Sequence, residues 1–416
     1  MNRHSRKAFL FVTLILTVSF TFGQKLVRSE SNGTMTAAEI NQRMTKMFGS
    51  YAVGETSNAV ELYKVTYSSI DVKNKKTNLT GLVAWPVGGA PKGLVVYCHG
   101  TTVDRGRSPS KFKAKEDEPE TEIAIAGFVS GGYAVVLPDY LGLGDHKGAH
   151  PYPLSSVNAR SAVDMIPAAR ELAKQNNYVI GPKLYVTGYS EGGGVAMAVA
   201  RDLQAMVGEN YRLTASAPAS GPYDLSGTTR KFMLEETGEQ TGFVLRLYLM
   251  SYATNYLNKE KGSKLKDFYK PALANALGIN YRLNPSDDGV IKNIGLTTTL
   301  MRSQNKLENV LNPTFMKAMQ RNDGGNAFVR ELRMNDVYAW QPRRPMLMIY
   351  VDKDFVVSPV NTEVAYKAMQ RMGVKNDMIK TVEIPSTFNH LTGIAPAMAK
   401  ARAFFDGGFS AVPDAR

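Results

Sequence analysis

Gly188-Tyr189-Ser190-Glu191-Gly192 sets one serine between two glycines, and the residues around it decide what that serine can do. Lys183 to Thr187, just before it, is a short apolar run of strand-forming residues; Gly193 to Ala205, just after it, is small, apolar and helix-forming. A chain passing from strand to helix in so few residues must turn sharply. Glycine permits that turn, and the serine hydroxyl is left exposed at the carboxyl end of the strand. Such a hydroxyl is a weak nucleophile until a base takes its proton, and the base works best when an acid fixes its tautomer. The stretch predicts nucleophilic acyl transfer, provided that a carboxylate and a histidine follow it.

A nucleophile on a strand-to-helix elbow calls for the chain order serine, acid, histidine. Of the five histidines, His4, His99, His146, His150 and His390, only His390 lies after Ser190. It sits in a loop that follows the apolar run Thr381 to Ile384, where a side chain can reach back over a sheet edge. The acid should follow Met346 to Val351, and both Asp352 and Asp354 stand there. Attack on a carbonyl creates an oxyanion that needs two backbone N–H donors. Glu191, immediately after the nucleophile, supplies one; the loop after His99-Gly100 supplies the other through Thr101, with Thr102 beside it. His99 is expected to prop that loop by a hydrogen bond, and Asp139 to secure the turn that follows it. His146 and His150 are four residues apart, a spacing that suits metal ligation on a helix face. Gly142 to Pro151 is too rich in Gly and Pro to form that helix, so no metal is expected there. The chemistry itself needs no cofactor.

The elements that must hold these residues can be read from hydrophobicity. Leu94 to Tyr97, Tyr133 to Pro138, Leu184 to Thr187 and Leu213 to Ala217 are continuous apolar runs separated by helix-like segments, the pattern of parallel strands buried on both faces. Met346 to Val351 and Thr381 to Ile384 repeat it, with helices expected at Val360 to Met372 and Ala395 to Phe405. Val60 to Asp71 and Leu79 to Pro86 predict a hairpin, and Thr36 an N-cap for a helix beginning at Ala37. The expected fold is α/β: a mostly parallel, doubly wound sheet. About 120 mostly helical residues separate Tyr223 from Arg344, too many for an ordinary connection. They predict a helical cap inserted into the core, giving core at 24–225, cap at 226–340 and core again at 341–416. Phe243, Val244, Leu247, Tyr248, Met250 and Tyr256 form an apolar face that either packs on the core or lines a substrate pocket.

The chain has 416 residues and a net charge of +13. Its basic residues are scattered; the densest cluster, Arg105 to Lys115, runs straight into the acidic stretch Glu116 to Glu122, which reads as a solvated loop and not as a nucleic-acid surface. Residues 1–23 carry Arg3, Arg6 and Lys7 ahead of an apolar run from Ala8 to Phe22, the form of a signal peptide cleaved before Gln24. The apolar run is shorter than the roughly 20 residues of a spanning helix. Export to the periplasm or beyond is expected. Cys98 is the one cysteine, so no intrachain disulfide can form, and its apolar setting reads as a small buried side chain.

Taken together, Tyr97-Cys98-His99-Gly100-Thr101, Leu137 to Gly144, His150-Pro151-Tyr152, Gly188 to Gly193 and Ala217 to Asp224 resemble the secretory-lipase branch of the α/β-hydrolases over about residues 60–225 and 340–405. In that family the acid commonly precedes by three residues a valine packed beneath its loop. Asp354 has Val357 there and Asp352 has Phe355, which favours Asp354; where many relatives carry a glycine before this loop, the chain has Val351. The resemblance implies an α/β-hydrolase fold, a Ser190-Asp354-His390 triad and carboxylic ester substrates, from small acyl esters to lipids, with the cap as the part suited to transient contact with a lipid surface. A serine peptidase of the prolyl-oligopeptidase type shares the same core, and a silent binding protein is the alternative from another class.

Overall fold

The computed structural model describes residues 25–236, 240–283, 292–293, 295–299 and 306–413. The expected signal peptide at 1–23 lies outside them.

Among the described residues nine strands form one sheet in the order β1-β2-β3-β5-β4-β6-β7-β8-β9. They are β1 (Leu26–Met35), β2 (Val60–Ile70), β3 (Lys76–Pro86), β4 (Leu94–Cys98), β5 (Ala134–Pro138), β6 (Leu184–Tyr189), β7 (Leu213–Ala219), β8 (Met346–Val351) and β9 (Ile379–Ile384). The first three are antiparallel to one another, and β3 is antiparallel to β5; every pairing from β5 to β9 is parallel. Strand β1 is absent from the hydrophobic pattern because it is a polar edge strand, buried at Leu26 and Met35 and largely open between them.

The unbroken apolar runs follow from burial on both faces. Leu94, Val96 and Cys98 of β4 point into one cluster, with Ala134 and Val136 of β5 and Leu184 and Val186 of β6. Val95 and Tyr97, Val135 and Leu137, and Tyr185 point into the other. Side chains alternate with a period of two, so each strand feeds two helix layers. Helices Ser155–Gln175, Glu191–Leu203 and Val360–Arg371 cover the first face; Ala37–Phe48, Pro119–Ala124 and Ile394–Gly407 cover the second. The helix at Ala37 starts with a reciprocal cap, Thr36 bonding the Glu39 N–H and Glu39 the Thr36 N–H. The fully buried Cys98 thiol is pushed far above its usual range by desolvation, as befits a packing residue.

Between β7 and β8 the chain leaves the sheet and builds helices Gln240–Glu260, Leu265–Phe268, Pro271–Leu283, Leu307–Val310, Pro313–Arg321 and Ala327–Met334. They have a core of their own, in which Phe315 meets Phe268 and Phe328 edge-on at centroid distances of 5.2 and 5.4 Å. Tyr152 and Leu154 of the sheet domain belong to the same cluster, and Tyr152 stacks on Tyr252 at 5.1 Å, which seats the insertion over the carboxyl end of the sheet.

The acidic stretch Glu116 to Glu122 departs from the solvated loop expected of it. Its second half forms helix Pro119–Ala124, where Glu122 is 1% exposed and pairs with Arg43 at 3.1 Å. The basic half is tied down as well: Arg105 donates to the carbonyl oxygens of His146 and Gly148.

Candidate active site

Ser190 follows the last residue of β6 and precedes helix Glu191–Leu203. Its backbone has φ 59° and ψ −124°, a left-handed conformation that costs a non-glycine residue on the order of 1–3 kcal/mol and persists only where the surroundings impose it. They do so by close packing. A Cβ at Gly188 would lie 2.4 Å from the Cys98 carbonyl oxygen, and one at Gly192 would lie 1.9 Å from the same atom. Only glycine on both sides lets the elbow press against β4.

His390 comes from the loop between β9 and helix Ile394–Gly407. Its Nε2 is 2.8 Å from Ser190 Oγ, and its Nδ1 is 2.6 Å from Asp354 Oδ2. A carboxylate on Nδ1 fixes the proton there and leaves Nε2 with a lone pair toward the serine hydroxyl. Asp354 sits in the loop after β8 and is held by its other oxygen, Oδ1, which accepts the N–H groups of Val356 at 2.8 Å and Val357 at 2.7 Å. Asp352 points out to solvent. Val357 therefore does more than pack under the acid's loop; its amide orients the carboxylate. The His390 loop is shaped by Asn389, whose side-chain oxygen accepts the Leu391 and Thr392 N–H groups.

Thr101 lines the cavity shared with Ser190 and His390 and also the neighbouring one, whereas Thr102 lines only the neighbouring one. Glu191 is the first residue of its helix, where the leading N–H groups have no partner within the helix and carry the positive end of its dipole. His99 does not approach the serine's base position: its Nδ1 is 2.7 Å from the Gly100 carbonyl oxygen, its ring stacks on Tyr140 at 4.2 Å, and burial pushes its pKa down. Asp139 accepts the Ser110 N–H at 2.8 Å and the Thr80 hydroxyl at 2.5 Å, fastening the segment beneath that loop. His146 takes the Gly142 and Gly148 N–H groups on Nδ1, and His150 turns inward to Glu191.

The cavity beside Ser190 has a volume of about 370 Å³. One wall is Leu245, Tyr248 and Leu249 of helix Gln240–Glu260; Val356, Leu391 and Ile394 face it. The apolar face read from the sequence divides accordingly. Phe243, Leu247, Met250 and Tyr256 pack inside the insertion, while Tyr248 also reaches the cavity. A recess of about 30 Å³ lies on the other side of Ser190, among Tyr152, Pro153, Leu225, Phe232 and Met233.

Three side chains of the site were not legible as such. Glu120 closes the cavity wall next to Thr101 and accepts the Gly100 N–H at 2.7 Å and the Tyr97 hydroxyl at 3.0 Å. Tyr189 bonds the His390 carbonyl oxygen at 2.8 Å. The side chain of Glu191 is buried against His150 at 2.8 Å. Each contact joins residues 12 or more positions apart or depends on a loop's path; the Glu in the fourth place of the elbow motif was the one available signal.

The model of the secretory lipase family matches residues 109–244, about a third of the chain, including Ser190. No curated protein matches. Solved structures do: a Legionella pneumophila protein assigned as a hydrolase is similar with a TM-score of 0.78 and 25% identity, over 92% of this chain and 98% of that one. The rice cell wall degrading esterase LipA from Xanthomonas oryzae matches with a TM-score of 0.74 and 23% identity, over 94% and 99% of the two chains. Candida antarctica lipase A in its closed state matches at 0.60 and 15% identity, over 94% and 85%.

Proposed function

Because the chain is an α/β-hydrolase that resembles secretory lipases, we propose that it hydrolyses carboxylic esters, with Ser190 as nucleophile, His390 as base and Asp354 as the acid that orients it. The observation that carries this reading is the unbroken series of contacts from Asp354 Oδ2 to His390 Nδ1, at 2.6 Å, and from His390 Nε2 to Ser190 Oγ, at 2.8 Å, on the wall of an apolar cavity.

Ser190 Oγ attacks the ester carbonyl as His390 Nε2 takes its proton, and Asp354 stabilises the imidazolium that results. The Thr101 and Glu191 N–H groups hold the oxyanion. Collapse of the tetrahedral intermediate breaks the bond to the alkoxy group, which leaves with the proton from His390. Water, deprotonated by the same histidine, then attacks the acyl-serine, and the acid is released as Ser190 recovers its proton. No cofactor takes part. The cavity volume lies within the roughly 300–1,000 Å³ of small-ligand sites, and its apolar walls suit the acyl chain. Leu391, 65% exposed beside the cavity, supports brief contact of this face with a lipid surface. The family resemblance and the charge-then-apolar pattern of residues 1–23 support export; N-terminal sequencing of the protein from culture medium or periplasm should find Gln24 first.

Nitrophenyl esters of graded acyl length, assayed beside peptide anilides, test the reading. Ester turnover that disappears in Ser190→Ala is expected. Anilide turnover without ester turnover would make the protein a peptidase, and turnover of neither would make it a binding protein.

A further inference from the structure

Behind the nucleophile helix lies a buried pair that the reaction as written does not use. Glu191, whose backbone N–H the proposed reaction assigns to the oxyanion, buries its side chain against His150 and Asn158, and the residue is only 2% exposed. Its Oε1 lies 2.8 Å from His150 Nε2 and accepts the Asn158 amide at 3.1 Å. The other ring nitrogen, His150 Nδ1, lies 2.9 Å from the Leu141 carbonyl oxygen. A carbonyl oxygen can only accept, so Nδ1 carries a proton. A bare ring nitrogen facing a bare carboxylate would repel at this distance, so the contact between Nε2 and Oε1 holds a second proton. Whether that proton rides on nitrogen or on oxygen, the pair has no net charge.

The neutrality matters because of where Glu191 stands. Its Oε2 and the Asn158 Oδ1 are buried with no hydrogen-bond partner among the described residues, so a full negative charge here would have few donors to stabilise it. Among those residues its ion-pair partner is His150. The other titratable groups around the pair are His99 with Asp139 behind it, the tyrosines Tyr140, Tyr152 and Tyr252, and Glu120. His99 is kept neutral by burial, so it cannot replace the missing charge. An unshielded carboxylate on Glu191 would belong to the same residue as an oxyanion donor, and would oppose the negative charge that the transition state develops there.

We infer that His150 is a positioning residue for the oxyanion site: it shares a proton with the Glu191 carboxylate, cancels the charge beside the developing oxyanion and pins the first turn of the nucleophile helix to the Leu141 loop. This rests on the serine-esterase reading.

The test is the pH profile of kcat, on a soluble nitrophenyl ester between about pH 5.5 and 9.5, for the full-length protein and its variants. The unmodified protein sets the reference profile, which should show no alkaline fall. In His150→Ala the Glu191 carboxyl has lost its partner; a buried carboxyl without a cation keeps its own proton at low pH and loses it as pH rises. A new alkaline fall of roughly tenfold or more in kcat should appear. The double variant His150→Ala/Glu191→Gln has no carboxyl to ionise, and its alkaline fall should vanish even though its absolute rate is lower. Where His150→Ala gives no native circular dichroism spectrum, His150→Gln keeps a hydrogen-bonding side chain without the titrating ring and should show the same fall. A His150 variant whose profile is that of the parent scaled by a constant would overturn the inference, as would an alkaline fall that survives in the double variant. Failure of the parent protein to turn over esters at all would instead overturn the esterase reading on which it stands.

Discussion

The hydroxyl of Tyr189 donates to the main-chain carbonyl oxygen of His390 at 2.8 Å, so the residue directly before Ser190 holds the loop that carries His390. The two rings also lie 5.2 Å apart. Serine and histidine come from strands at different places in the sheet, β6 and beyond β9, and this bond ties their loops across the gap. Tyr189→Phe keeps the ring and deletes the bond, which is worth about 0.5–1.5 kcal/mol. Steady-state kinetics should show kcat lowered by roughly 2- to 12-fold with KM little changed. A change in KM alone would mean that Tyr189 shapes the cavity and not the base.

The acid can be assigned by a pair of matched substitutions. Asp354→Asn leaves the shape of the His390 contact but favours the wrong ring tautomer, and should cost about 10⁴ in kcat. Asp352→Asn changes a solvent-exposed side chain and should leave the rate within about twofold. Ser190→Ala and His390→Ala should each cost roughly 10⁴–10⁶, and combining them should add little, because such residues act as a unit. The reverse outcome for the two aspartates would move the acid to Asp352.

The parts of this fold that could be read in the sequence are those whose neighbours in space impose a local pattern. β4, β5 and β6 are buried on both faces, so their apolar runs are continuous; the elbow needs glycine where Cys98 comes close, so the motif is visible. β1 was silent because only Leu26 and Met35 are buried along it, and its pairing with β2 rests on backbone bonds that any polar residue can make. Glu120 reads as one of a run of charges; what distinguishes it from Glu116 is the path of the β4 loop, which brings the Gly100 N–H within 2.7 Å. His150 was legible only through its spacing from His146 and as part of His150-Pro151-Tyr152, for the same reason: its partner Glu191 is 41 positions away.

The second oxyanion donor proposed, at Thr101, is a backbone group, so a side-chain deletion there is a weak test and loss of its N–H a strong one. Thr101→Pro removes that donor and should lower kcat by roughly 10²–10³, whereas Thr101→Ala should be mild. Comparable activity in the two variants would place the donor at Thr102, which faces the neighbouring cavity.

Glu120, which holds the Gly100 N–H, gives the loop after β4 a dependence on pH. Desolvation in the cavity wall raises its carboxyl from an ordinary value of 4.5 to about 8; the charge of Glu118 pushes the same way, and the Gly100 N–H and Tyr97 hydroxyl oppose both. A carboxyl that holds its proton more tightly when folded stabilises the fold least where it must ionise: its contribution is intact below 4.5 and is lost progressively as pH rises toward 8. Glu120→Gln keeps an acceptor for Gly100 and cannot ionise. Thermal melts at a series of pH values should therefore show the Tm of Glu120→Gln gaining on that of the parent protein between pH 5 and pH 9, with no further gain above. A gap that stays constant over this range would mean that Glu120 is ionised throughout it.

The inserted helices should set acyl-chain preference. Leu245, Tyr248 and Leu249 form one wall of the cavity of about 370 Å³ beside Ser190, while the recess on the serine's other side is only about 30 Å³. The small recess has the volume of roughly one water molecule, so a chain of several carbons fits on the cavity side alone. Each methylene that leaves water for such walls contributes about 0.8 kcal/mol, or about fourfold in kcat/KM until the cavity is filled. Medium acyl esters should be hydrolysed better than acetyl esters. Leu245→Trp adds bulk at a partly buried position and should shift the optimum toward shorter chains, while leaving acetyl ester turnover nearly unchanged. If acetyl esters were the best substrates of the parent protein and Leu245→Trp left the chain-length series unmoved, the helix Gln240–Glu260 would be packing over the site without selecting what enters it, and the lipid-directed half of the functional reading would fall while the esterase half stood.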